Sequence, residues 1–138
     1  MQKAVKVLFV ASNPSTKSPD NTALHPATRS RKILDRWISD MNIAPIFINV
    51  CDEKTYKNKP LSKQNILDNL NSLQLKITNT KINTVVALGD TASLALSLIK
   101  QPHVKVPHPS GLNRKLNDDK EIQKIKNTIH NISKGIIK

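Results

Sequence analysis

Short apolar segments alternate with longer amphipathic segments four times along this chain. The short ones are rich in β-branched residues, as is typical of buried strands, and lie at 3–10, 46–50, 82–88 and 103–106. Strands that alternate with helices pair in parallel through right-handed crossovers, which indicates an α/β protein. We predict a three-layer α/β/α fold around a central four-stranded parallel sheet, in one domain spanning residues 1–138.

Each predicted helix has apolar residues spaced to share one face. The first begins at Thr28 or Ser30, either of which can cap it, and carries Ile33, Leu34, Trp37, Ile38 and Met41. The second begins at Ser62 and carries Ile66, Leu67, Leu70 and Leu73. The third covers 92–100, and the last, from about 118 to 133, carries Ile122, Ile125, Ile129 and Ile132.

The chain is strongly basic, with 22 Lys and Arg against 10 Asp and Glu and a net charge of +12. A small domain stays soluble with far less charge, so the excess favours a polyanionic partner, and nucleic acid is the first choice. The alternative is a lysine-rich composition that spreads basic residues without a function.

Composition and spacing exclude several classes of protein. The single cysteine, Cys51, rules out an internal disulfide and a zinc or iron–sulfur site built from cysteines. No glycine-rich phosphate loop follows a strand, which argues against phosphoryl transfer and dinucleotide chemistry. The apolar runs are far shorter than the roughly 20 residues of a membrane span. We expect a cytoplasmic monomer with no metal, no cofactor, no signal peptide and no membrane association.

Polar residues follow the predicted strands at their carboxyl ends. Ser12 and Asn13 come after the first strand, Asn49 ends the second, residues 89–91 follow the third and His108 follows the fourth. Because ligands of open parallel sheets bind beyond the carboxyl ends of the strands, these clusters are expected to converge on one rim.

Two of these clusters resemble the motifs of the uracil-DNA glycosylase superfamily. Residues 10–15 (VASNPS) are similar to the first motif, written G-x-N-P in the mismatch-specific and single-strand-selective branches, and residues 107–114 (PHPSGLNR) to the second, of H/N-P-S type. HPATR at 25–29, INV at 48–50 and VVALG at 85–89 also resemble family segments, so the similarity runs from about residue 6 to residue 116. It implies a monofunctional DNA glycosylase that removes uracil or a related altered pyrimidine, flipped out of DNA, and leaves an abasic site.

The resemblance implies two catalytic residues. Asn13 would position the attacking water through its side-chain carbonyl, more slowly than the Asp that some branches carry, because an amide is not a strong base. His108, as an uncharged imidazole, would donate an N–H to the departing base. The alternatives are an Asx-Pro turn for Asn13 and a loop histidine between prolines for His108.

A second set of residues would bind the base. Asn49 offers a donor and an acceptor that match the N3–H and C4=O of uracil, although it could equally be a buried amide at a strand end. Ser12 lies beside Asn13, and Ala23 or Leu24 occupies the place of the family's stacking aromatic. Ala11 replaces the usual first-motif glycine, which limits how closely a base or backbone can approach. Because no aromatic is expected to stack on the base, the substrate could differ from plain uracil.

DNA contacts are expected from residues around both motifs. They are Ser15, Lys17, Arg29, Ser110, Gly111, Leu112, Asn113 and Arg114. Leu112 would wedge into the vacated base stack, or else pack in the core, and Arg114 would meet phosphate. Arg31 is a further phosphate candidate, whereas Asp20 and Asp52 are either bases or turn residues. His25 has no assigned role.

Two other functions remain open. Without the Asp and the stacking aromatic, the chain could be a non-catalytic DNA-binding protein on the same scaffold. An enzyme that modifies or transfers a base is the third possibility.

Overall fold

The computed structural model describes residues 4–14, 18–55, 60–109 and 118–135. Strands and helices alternate as β1 (Val5–Ala11), α1 (Arg29–Ile38), β2 (Ile43–Asn49), α2 (Lys63–Asp68), α3 (Leu70–Thr80), β3 (Val85–Leu88), α4 (Asp90–Leu98), β4 (Val104–Val106) and α5 (Asp119–Ser133). None of the helices in these residues combines the length and the apolar character that a membrane span requires.

The four strands form one parallel sheet in the order β2-β1-β3-β4. From β1 the chain first moves outward to β2 and then returns to the other side of β1 to form β3. The strand order therefore reverses between β1 and β3, and ligands of open α/β sheets bind at such a reversal.

Helices cover both faces of the sheet. Val7, Phe9 and Ala11 of β1 point to the face covered by α1 and α5, where Trp37 and Ile129 are buried. Leu8 and Val10 point to the opposite face, covered by α2, α3 and α4. Burial on both faces explains why the strands are continuously apolar rather than alternating. The predicted three-layer α/β/α architecture with a four-stranded parallel sheet is confirmed.

Several element boundaries differ from the sequence prediction, most of all those of the second strand and the second helix, and β3 begins at Val85 rather than at residue 82. The second strand begins at Ile43, not at residue 46, and runs through Pro45, which pairs with Val7. A proline is tolerated there because β2 is an edge strand. The helix predicted from Ser62 is two helices, α2 and α3, that meet at Asn69, whose side-chain amide donates to the carbonyl oxygen of Asn65.

Helix starts follow the predicted caps more closely. Thr28, not Ser30, is the N-cap of α1, and its hydroxyl accepts from the Arg31 backbone N–H. Ser62 caps α2 in the same way, accepting from Asn65 N–H. Helix α4 begins at Asp90, earlier than predicted, because Gly89 turns the chain directly from β3 into the helix. This tight turn brings the start of α4 to the rim of the sheet.

Candidate active site

A cavity of about 390 Å³ opens at the carboxyl ends of β1, β3 and β4. Its walls are residues 11–14 after β1, parts of the loop before α1, Pro60, residues 88–91 at the start of α4, and His108. A volume of this size is typical of small-ligand sites, and the position is the strand-order reversal between β1 and β3.

Four of the predicted site residues line this one cavity. Ser12 and Asn13 enter from β1, Leu24 from the loop before α1, and His108 from the end of β4. Gly89, Asp90 and Thr91, the polar cluster after β3, line it as well. Residues from three strand ends and one loop therefore meet at one rim.

His108 is held close to the third strand. The Gly89 backbone N–H donates to the Val106 carbonyl oxygen at 2.8 Å, which ties the two strand ends together just before His108. Burial lowers the pKa of the His108 imidazole below its usual value, because removing water disfavours the charged ring. His108 is therefore an uncharged imidazole at neutral pH.

Gly89 makes room for His108. Its φ of +93° and ψ of 176° lie in a region that glycine alone adopts readily. A Cβ at this position would lie 3.3 Å from the Cβ of His108, tighter than an ordinary contact. The glycine therefore sets both the turn into α4 and the distance between α4 and the histidine.

We expect Gly89→Ala to destabilise the protein and to displace His108. The strained backbone alone costs about 1–3 kcal/mol in the free energy of unfolding, measurable by urea denaturation. Gly135→Ala is the matched control, because Gly135 also has a positive φ, of +81°, but a Cβ there has no neighbour within 4 Å. Both variants should lose stability, but only Gly89→Ala should lose the glycosylase activity that the sequence resemblance implies. Equal activity in the two would show that His108 tolerates the displacement.

The side chain of Asn13 makes hydrogen bonds from both ends of its amide. Its Nδ2 donates to the carbonyl oxygen of Glu53 at 3.3 Å and to Oγ1 of Thr55 at 3.4 Å. Its Oδ1 accepts from the Ser12 hydroxyl at 2.9 Å. The amide thus faces the loop after β2 with its amino group and Ser12 with its carbonyl.

Asn49 is not among the residues that line the cavity. It pairs with Ala11 on the edge strand, 1% exposed, and its Nδ2 lies 3.4 Å from the Asn21 carbonyl oxygen and 3.5 Å from Oδ1 of Asp52. The Asn49 Oδ1 has no partner among the described residues. The alternative of a buried amide at a strand end fits this position, so the base-reading role stays a prediction.

Leu24, rather than Ala23, is the residue of that pair that lines the cavity. Leu24 is 8% exposed and has a φ of +45°, which is unusual for a leucine. The Arg31 guanidinium donates to the Leu24 carbonyl oxygen at 3.1 Å and so holds this turn. The structure therefore places an aliphatic surface, not an aromatic ring, at this wall.

Of the predicted DNA contacts, Arg29 is exposed in the first turn of α1, between the cavity-lining residues Thr28 and Ser30. Arg31 is instead engaged within the protein, by Asp35 at 3.0 Å and by the ring of Phe47 at 4.2 Å. Ser15, Lys17, Ser110, Gly111, Leu112, Asn113 and Arg114 lie outside the described residues.

The two acidic candidates are engaged in local structure. Asp20 accepts from the Thr22 backbone N–H at 2.8 Å, and this hydrogen bond lowers the pKa of the Asp20 carboxyl. Asp52 forms an ion pair with Lys76 at 2.7 Å. Neither lines the cavity, which favours their interpretation as turn residues.

Sequence reasoning assigned no role to several residues of the cavity wall, among them His25 and Ser18. His25, without a predicted role, lines it, and its Nδ1 accepts from the Ala27 backbone N–H at 3.0 Å, which leaves the proton on Nε2. Ser18 also lines it, with a buried hydroxyl that has no partner in the described part of the chain. The family-like segment HPATR at 25–29 could have pointed to His25. No sequence pattern singled out Ser18.

Comparison with known families identifies the chain. A family model, the uracil DNA glycosylase superfamily, matches residues 1–130. The chain belongs to this superfamily. This superfamily generally comprises DNA glycosylases, which are enzymes that act on DNA. Membership in it suggests a DNA glycosylase activity for this chain. A search of curated proteins finds no match.

Among residues 4–14, 18–55, 60–109 and 118–135, no three His, Cys, Asp or Glu cluster as a metal site would require.

Proposed function

We propose that the protein is a monofunctional DNA glycosylase that hydrolyses the N-glycosidic bond of uracil, or of a related altered pyrimidine, extruded from DNA. The observation that carries this proposal is that Asn13 and His108, from the ends of β1 and β4, line one cavity of about 390 Å³. Superfamily membership supports the reaction class.

Extrusion of the base is needed because the glycosidic bond inside a duplex is out of reach of a pocket. Unpairing costs a few kcal/mol, which contacts with phosphate offset by releasing counterions. The net charge of +12 supplies such contacts, and Arg29 is exposed beside the cavity wall. The Ser18 hydroxyl, which has no partner among the described residues, offers the polar edge of the base a hydrogen bond within the cavity.

Bond cleavage sends the electron pair of the C1′–N1 bond to the base and leaves a cationic, oxocarbenium-like sugar. His108 would stabilise the base anion by donating an N–H to its carbonyl oxygen. The same burial that lowers the His108 pKa strengthens this hydrogen bond, because little water competes for it.

Water completes the reaction by adding its oxygen to C1′ and releasing a proton, so that the products are the free base and an abasic sugar. Asn13 Oδ1 would accept a hydrogen bond from this water. The Ser12 hydroxyl already donates to Asn13 Oδ1, so only the remaining lone pair of Oδ1 can accept from the water, and its direction is restricted. The amide orients the water and leaves its proton to solvent or to the departing base.

One alternative, a non-catalytic DNA-binding protein, is favoured because no titratable residue of the described cavity wall is placed to take a proton from the water. The titratable residues of this wall are His25, Asp90 and His108. His25 has its Nδ1 occupied by Ala27, and Asp90 forms an ion pair with Lys105 at 2.8 Å. Neither is placed as a general base for water, so hydrolysis would depend on positioning alone.

The test uses enzyme in excess over oligonucleotides that carry uracil, a thymine–guanine mismatch or a modified pyrimidine, in single strands and in duplexes. We expect free base in mass spectra and strand breaks only after alkali, since a monofunctional enzyme leaves the abasic strand intact. A cytosine oligonucleotide and the Asn13→Ala/His108→Ala variant are the controls. Salt-dependent DNA binding without release of any base would favour the non-catalytic alternative.

A further inference from the structure

Four consecutive residues of the loop after β2 contact three polar residues in and beside the cavity wall. Within segment 52–55, Asp52 Oδ1 lies 3.5 Å from Nδ2 of Asn49. The Glu53 carbonyl oxygen and Thr55 Oγ1 both accept from Nδ2 of Asn13, and Lys54 Nζ donates to the Ser18 carbonyl oxygen at 2.7 Å. This segment therefore links the ends of β1 and β2 with the loop before α1.

The segment also decides which end of the Asn13 amide faces Ser12. The Glu53 carbonyl oxygen can only accept, so the amino group of Asn13 has to point towards it. A reversed amide would set Oδ1 of Asn13 against that oxygen, two acceptors without a proton between them. Thr55 Oγ1 adds a second acceptor on the same side, 3.4 Å from Nδ2.

We propose that Thr55 is a positioning residue that acts through Asn13, holding the amide so that its carbonyl is presented to the attacking water. The inference rests on the proposed glycosylase function, in which Asn13 Oδ1 orients that water. Thr55 itself does not line the cavity, and it reaches the amide through the hydrogen bond that its Oγ1 accepts from Nδ2 of Asn13 at 3.4 Å. Lys54 of the same segment donates to the carbonyl oxygen of Ser18, a cavity-wall residue.

The first test compares Thr55→Val with Thr55→Ser in single-turnover excision from a uracil oligonucleotide. Valine keeps the shape but has no acceptor, whereas serine keeps the hydroxyl. Loss of one neutral hydrogen bond corresponds to about a two- to tenfold decrease in rate. We expect that decrease in Thr55→Val, with unchanged DNA affinity and melting temperature because Thr55 is only half-buried, and near-normal rates in Thr55→Ser.

The second test repeats Thr55→Val in the Asn13→Ala background. If Thr55 acts through the amide, removing its hydroxyl has no further effect there. An equal loss in both backgrounds, or a wild-type rate in Thr55→Val, would overturn the proposal.

A third readout separates this proposal from the proposed function. The side-chain amide protons of Asn13 give a distinct pair of signals in ¹⁵N-correlated NMR spectra. Thr55→Val should shift these signals and speed their exchange with solvent, and Thr55→Ser should not. If the enzyme removes no base but these signals respond, the function is wrong and the positioning is right. If the signals do not respond, the positioning is wrong.

Discussion

Replacing His108 by alanine is expected to lower kcat for base excision by about 10²–10³-fold, the usual effect of removing one donor that stabilises a developing anion. His108 is the uncharged imidazole of the cavity wall, since burial lowers its pKa. Its N–H would therefore meet the departing base without competition from bulk water. The loss should be seen in kcat more than in KM, because the negative charge develops only in the transition state.

Two variants make this result specific. His108→Asn keeps a side-chain N–H donor, and the second motif of the family is of H/N-P-S type, so this variant should recover part of the lost rate. His130→Ala removes an exposed histidine of α5 that lies outside the cavity wall and should leave the rate unchanged. An undiminished kcat in His108→Ala would remove the leaving-group role and return His108 to the interpretation of a loop histidine.

The fold was predictable because burial dictates the pattern of its strands. Val7, Leu8, Phe9 and Val10 are all fully buried, so a continuous apolar run marks a central strand covered on both faces. The alternation of strands and helices also predicted that Ser12, Asn13 and His108 lie close together, since the carboxyl ends of parallel strands share one edge of the sheet. These three residues line the cavity as expected.

Asn49 shows where the pattern stops being informative. Its place at the end of a strand was correctly predicted, but the order of strands was not available from periodicity. In the order β2-β1-β3-β4 the reversal lies between β1 and β3, and β2 is one strand away from it. Asn49 therefore lies beside Ala11, which lines the cavity, without lining it.

The loop before α1 was the least predictable part of the site. Its conformation depends on contacts with distant residues, among them Lys54 with the Ser18 carbonyl oxygen and Arg31 with that of Leu24. Local sequence carries no signal for such contacts. They nevertheless decide that Ser18, Leu24 and His25 contribute to the wall.

Asn13→Ala is expected to lower kcat by about 10²-fold, the effect of releasing a reactant from its aligned position. The variant removes the Oδ1 that would accept from water, together with the two donor contacts to Glu53 and Thr55. DNA affinity should be unchanged, because those contacts lie within the protein. Single-turnover kinetics beside a DNA titration measure both quantities, with Asn127→Ala, an exposed change on α5, as the control.

The pattern of losses decides between three roles for Asn13. A lower rate at constant DNA affinity identifies the water-positioning amide, because water is needed only for the chemical step. Lower stability and lower affinity together would favour an Asx-Pro turn that shapes the end of β1. Unchanged excision would show that another group orients the water, and the role proposed for Asn13 would be wrong.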